Sequence, residues 1–153
     1  MQDEVTLQMA APAERIWELV SDVTAIGRFS PETYGAEWVG RATGPVVGAK
    51  FRGHVNRNGW GLKYSTVCRV IAADPGREFA FTVVGPGGME INTWRYLFES
   101  NAEGTLVTES FHLHKSLPLR VYWLLAGWTR GDTNREGMRK TLENLKAYVE
   151  SAH

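Results

Sequence analysis

One cysteine, Cys68, stands in 153 residues, so no disulfide within the chain is available to brace it. Charge of either sign is not in excess. Lys and Arg number 17 and Asp and Glu number 17, and the basic residues are scattered, so no nucleic-acid partner is expected. Long hydrophobic runs are missing too. The densest, residues 117–128, falls short of the roughly 20 apolar residues that span a bilayer, so no transmembrane segment is expected. The opening Met1-Gln2-Asp3-Glu4 lacks the basic stretch and apolar core of a signal peptide, which points to a soluble, cytoplasmic protein. No serine-hydrolase elbow, P-loop or zincin motif occurs, and Gly85 to Gly88 reads as a hairpin turn. Without linker, repeat or low-complexity segment, residues 1–153 read as a single domain.

Aromatic residues, by contrast, are plentiful: six Trp, five Tyr and six Phe. Around them the chain alternates. Val5, Leu7 and Met9 mark an opening strand, and Pro12 with Ile16, Trp17, Leu19 and Val20 marks a short helix. Asp22 is placed to cap a second short helix that Pro31 ends. Strands are then expected over residues 34–41, 49–55, 62–73, 79–83, 91–99 and 106–113, with Asn58-Gly59 a strong hairpin signal. The last third differs. Met138, Leu142, Leu145 and Val149 recur at helical spacing and draw one apolar stripe, and Thr133 with Glu136 reads as a capping box at its start. The expected class is α+β: a seven-stranded curved antiparallel sheet wrapped around a long C-terminal helix, with two short helices after the first strand.

Alternation also sorts the side chains. Trp94, Tyr96 and Phe98 share one face of their strand, with Arg95 and Leu97 opposite. Val107, Glu109, Phe111 and Leu113 share a face of the next, with Thr108, Ser110, His112 and His114 opposite. If the apolar sets face the helix, Glu109 is a carboxyl in an apolar wall, where desolvation raises its pKa toward that of a useful acid or base. Its plainer alternatives are a buried ion pair with Arg139 or Arg95, or a register that turns it to solvent.

The residues also carry a resemblance. The stretch from Ala11 through Ile16-Trp17 to Asp22, Phe29-Ser30-Pro31-Glu32 and Gly48-Ala49-Lys50-Phe51-Arg52-Gly53 are similar to bacterial members of the SRPBCC superfamily, polyketide cyclase/dehydrase-like relatives of START domains. Further matching stretches are Pro75-Gly76-Arg77-Glu78-Phe79, Trp94-Arg95-Tyr96-Leu97-Phe98-Glu99, Val107-Thr108-Glu109-Ser110 and Arg135-Glu136-Gly137-Met138. The resemblance implies the START-like helix-grip fold and a hydrophobic cavity between sheet and helix. Members bind, carry or transform what enters it.

Candidate cavity walls are Trp17, Trp38, Phe51, Trp60, Tyr64, Phe81, Trp94, Tyr96, Phe111, Trp123 and Met138, each of which is equally explained as core filling. Asn134 and Arg135 sit where the helix begins, placed to look into a cavity or simply to stand in water. Glu109 and Tyr64 are the candidate proton-moving groups. No metal and no cofactor is expected: His112 and His114 have ligand spacing, but a third ligand is not evident. Cys68 reads as a small buried hydrophobe. The run at 117–128 reads as a lid combined with self-association as a homodimer, or as a contact with a membrane surface. Two functions stay open: a binding protein for a polyketide-, aromatic- or lipid-like molecule, or a polyketide aromatase/cyclase that uses cavity acid/base residues.

Overall fold

Strand alternation and the single helical stripe build the molecule seen in the computed structural model, which describes residues 2–30, 33–57, 62–114 and 131–151. Side chains at 2, 56, 57, 62–64, 86 and 131–134 are outside that description. The order is β1 (Gln2–Met9), α1 (Ala13–Ser21), a 3-10 helix (Val23–Arg28), β2 (Thr33–Trp38), β3 (Lys50–Arg57), β4 (Leu62–Asp74), β5 (Glu78–Val84), β6 (Glu90–Asn101), β7 (Gly104–Leu113) and α2 (Gly131–Ser151). A single 3-10 turn, Pro86–Gly88, links β5 to β6.

The seven strands form one antiparallel sheet in the order β1-β7-β6-β5-β4-β3-β2. From β2 to β7 each strand pairs with the next in sequence, and β1 pairs with β7. Register shifts between Thr33 and Gly35, Val70 and Ala72, and Val83 and Val84 each place an extra residue on one strand. Such bulges bend a strand and sharpen its twist, which helps to curl the sheet into a half-barrel. Sequence alternation is most complete in β7, where every second residue from Thr105 to Leu113 is buried.

The stripe of α2 is fully used: Met138, Leu142, Leu145 and Val149 are all buried. Three polar contacts fix the helix along its length. Arg135 donates through Nε and Nη2 to Asp3 Oδ1 at 3.2 and 2.8 Å. Asn144 donates to the Phe29 carbonyl at 2.9 Å. Glu150 accepts from the Ala10 backbone N–H at 2.9 Å and pairs with Lys146. The helix begins at Gly131, before Thr133, so the expected capping box does not form its start. The strand expected over 34–41 ends at Trp38. The hairpin at Asn58-Gly59 and the apolar run at 117–128, with its lid and homodimer readings, lie outside the described residues.

Against the middle of the sheet, α1 packs beside β5 and β6. It buries Ile16 and Trp17, and the Trp17 indole N–H donates to the Glu78 carbonyl at 2.8 Å. Asp22 caps the 3-10 helix as expected, its side chain accepting from Thr24 N at 3.1 Å. Gly104 opens β7 at φ +133°, where a Cβ would stand 2.2 Å from the Met9 carbonyl oxygen, so only glycine fits there. Among the described residues no helix is long and apolar enough to cross a membrane.

Candidate functional site

Antiparallel register aligns the inward side chains of neighbouring strands into rows. One row runs Trp38, Phe51, Cys68, Val83, Asn92, Leu113 across β2 to β7. The next places Val70, Phe81, Trp94, Phe111 and Asp3 side by side. A third sets Phe79, Tyr96, Glu109 and Val5 across β5, β6, β7 and β1. Seven of these fifteen residues are aromatic. The rings of this inner wall meet edge to face at Trp38–Phe51, 5.8 Å, and Phe51–Phe81, 5.1 Å, while Trp94–Phe111 packs tilted at 4.8 Å.

Among the described residues the buried apolar side chains gather in two clusters. A large cluster gathers around Ile16, Phe51, Phe79, Phe81, Phe98, Leu142 and Leu145. A second holds Phe111, Leu113 and Met138, and Trp94 lies against both. Trp38, Val83, Asn92 and Trp94 stay only partly buried although they belong to the inner rows.

Two carboxyl residues stand in these rows: Asp3, which Arg135 pairs, and Glu109, with 3% of its surface exposed. Tyr96, directly across the ladder, donates its hydroxyl to Glu109 Oε2 at 3.0 Å. The other oxygen, Oε1, is buried and has no hydrogen-bond partner among the described residues. Burial pushes the carboxyl up to about 8, and the Tyr96 hydrogen bond restrains that rise. Tyr96 is itself held well above its usual range, first by burial and then by the neighbouring carboxylate. Near neutral pH Glu109 is therefore mainly a carboxylic acid. Since Oε2 accepts from Tyr96, the acid proton belongs on Oε1.

The alternatives weighed for Glu109 do not apply. Arg95 lies on the outer face and pairs with Glu78 at 2.6 Å, and Arg139 is exposed on α2. Arg135 reaches back to Asp3 rather than into the wall, and over half of its side chain is exposed. His54 is also on the outer face, between Glu37 and Ser65 at 2.6 and 3.0 Å. His114 bonds Thr93 Oγ1 at 2.9 Å, beside His112 and away from the inner wall.

The candidate residues therefore separate. Trp94, Tyr96, Glu109, Phe111 and Met138 come together near β6, β7 and the first turns of α2. Trp38, Phe51 and Phe81 continue that wall toward β2. Trp17 is core under α1, its polar edge already used. Cys68 is buried in the inner row, and burial pushes its thiol up to about 12. Tyr64 lies in β4 opposite Val55, but its side chain, like those of Trp60, Trp123 and Asn134, is outside the described residues. Sequence reasoning passed over Asn92, whose Oδ1 is buried with no partner among the described residues. The signal was available: Asn92 has the same strand parity as Trp94 and Tyr96.

An open groove of about 460 Å³ lies between β1 and α2, lined by Glu4, Val5, Thr6, Leu7, Arg135, Arg139, Leu142 and Glu143. Its mixed charges do not suit an apolar guest. Val5, the β1 neighbour of Glu109 in its row, also lines the groove.

Solved structures share this architecture. Cgl2372 from Corynebacterium glutamicum, a Polyketide_cyc-like protein, is 28% identical, with 97% of this chain and 91% of that one covered and a TM-score of 0.58. MLL2253 from Mesorhizobium loti covers 100% and 99% at 16% identity and a TM-score of 0.68. The di-domain ARO/CYC BexL, from the BE-7585A biosynthetic pathway, is 23% identical with a TM-score of 0.67, matching 98% of this chain but 46% of its own. No curated protein matches the sequence. The family described as polyketide cyclase / dehydrase and lipid transport matches residues 3–150, and with the half-barrel and its terminal helix this chain belongs to that family.

Proposed function

We propose that this protein binds a hydrophobic, flat or lipid-like small molecule against the inner wall of its sheet, with Glu109 and Tyr96 as the polar anchor. The observation that carries this reading is Glu109 Oε1, a buried carboxyl oxygen without a partner among the described residues, set in an aromatic wall. Leaving such a group unpaired costs roughly 1–3 kcal/mol, and a ligand carbonyl accepting from it would recover that loss. The half-buried rings of Trp38 and Trp94 supply flat apolar contact. Family membership supports the same class of guest.

Native mass spectrometry of gently purified protein, followed by thermal shift against aromatic ketones and fatty acids, tests this. A co-purifying or stabilising compound whose affinity falls about tenfold in Glu109→Gln, the equivalent of roughly 1.4 kcal/mol, is the expected result. A clean apo mass with no shift from any compound refutes it.

A second reading, a cyclase, is favoured by the carboxyl near 8. That value places Glu109 close to the operating pH at which a general base works best. Turnover of a poly-β-ketone thioester by wild type but not by Glu109→Gln would establish it.

A further inference from the structure

Glu109 Oε1 has one counterpart among the described residues. Asn92 Oδ1 is the other buried side-chain atom that lacks a hydrogen-bond partner, and it belongs to the same inner wall. The two points are separated in a defined way. Glu109 faces Tyr96 across the ladder, and Asn92 lies four residues before Tyr96 on β6. At the rise of an extended strand that is roughly 13 Å, somewhat less on a concave face. Between them, on the same parity, stand Trp94 and Phe111, which pair at 4.8 Å; Phe111 is buried with Met138, and Trp94 stays half-buried. Leu113, opposite Asn92, and Val83, on its other side, offer no hydrogen bond.

The two ends ask for different chemistry. A protonated Oε1 with Oε2 already engaged by Tyr96 presents a donor, so it calls for an acceptor such as a ketone. Asn92 Oδ1 is an amide carbonyl oxygen and calls for a donor such as a hydroxyl. Resting on the binding function proposed above, we infer that Asn92 is a second, specificity-determining anchor. The ligand it selects is an elongated, rigid hydroxy-ketone, with its carbonyl at Glu109, its hydroxyl at Asn92 and its apolar frame on Trp94. Such a guest would be held in one direction only. With a single anchor, either end of the ligand could seat at Glu109.

The test uses estrone, a rigid four-ring frame with a phenolic hydroxyl at one end and a ketone at the other, beside estrone 3-methyl ether, which cannot donate. Calorimetric titration of wild type should show estrone binding at least about tenfold more tightly than the ether, one unmade hydrogen bond to a buried group. Asn92→Leu, close in shape, should abolish that preference, bind the ether as wild type does, and melt higher without ligand because its buried carbonyl is gone. Equal affinity of wild type for the two compounds, or a preference that survives in Asn92→Leu, overturns the second anchor while leaving the apolar site with its Glu109 anchor standing. Failure of both compounds to bind wild type overturns the second anchor. The thermal-shift panel of aromatic ketones and fatty acids then decides the wider binding reading separately.

Discussion

Glu109 makes the stability of this protein depend on pH in a direction opposite to that of an ordinary carboxylate. Its folded-state pKa is about 8 against a reference of 4.5, raised by burial. Below pH 4.5 both folded and unfolded chains hold the proton, and the residue does not oppose folding through its charge. Between 4.5 and 8 the unfolded chain releases the proton while the folded one keeps it, so stability falls as pH rises. Above 8 both forms are ionised and the fall stops. At roughly 1.4 kcal/mol per unit, the full swing is on the order of 5 kcal/mol, of which about 3 is already lost at pH 7. Glu109→Gln keeps the shape and the acceptor for Tyr96 but cannot ionise. Its amide N–H₂ adds a pH-independent offset, so the slope and not the offset is the signal. Urea unfolding of both proteins at pH 5, 6, 7, 8 and 9 measures it, because titrations elsewhere cancel in the difference. The difference should grow in favour of the variant by about 1.4 kcal/mol per unit up to pH 8 and then level. At pH 7 the growth since pH 5 amounts to several degrees in melting temperature for a domain of this size. A difference that is flat from pH 5 to 9 would refute the argument that Glu109 is buried without a cationic partner.

Three other perturbations follow from the same geometry. Tyr96→Phe removes the hydrogen bond that restrains the Glu109 pKa, so the descending limb should extend beyond pH 8, with a loss of about 1–2 kcal/mol at pH 5 in the same urea series. Arg135→Ala strands the carboxylate of Asp3, whose side chain is 8% exposed, and should cost about 1–2 kcal/mol. The half-exposed Arg135 keeps that cost below a fully buried pair's, and adding Asp3→Asn should recover part of it in thermal melts. Cys68, at 3% exposure and with its thiol near 12, should resist a disulfide reagent at pH 8 in the native protein and react at once in urea.

Much of the fold was legible because two short-range periods determine it. Alternation in β7 predicts the inward set Val107, Glu109, Phe111 and Leu113, and the stripe of α2 predicts its four buried anchors. Cross-strand neighbours were not legible, since register is set by turns and bulges along the whole sheet. That Tyr96, rather than an arginine, meets Glu109 follows from the ladder between β6 and β7. Asp3 shares the strand parity of Val5 and stands beside Phe111, but its partner lies beyond local reach. It is buried because Arg135, far along the chain, returns to it. Helix starts are equally non-local: Thr133 and Glu136 have capping spacing, yet the helix begins upstream of them. Asn92 falls within the expected strand 91–99 with the parity of Trp94 and Tyr96, but that it lacks a partner depends on Val83 and Leu113, the neighbours that register sets beside it.

The two functional readings differ in the pH at which they operate, and Glu109 separates them. A carrier uses the neutral acid as a donor to a ligand carbonyl. Binding then stabilises the protonated form, raises its pKa further and weakens once pH passes about 8. A cyclase that abstracts a proton from a ligand carbon needs the ionised form, so its turnover rises toward pH 8. The limbs slope in opposite directions through the same group. Measuring affinity for a ketone probe and turnover of a poly-β-ketone across pH 6 to 9 therefore distinguishes a site built to hold from one built to react. Affinity independent of pH, with no turnover, would remove Glu109 from both roles.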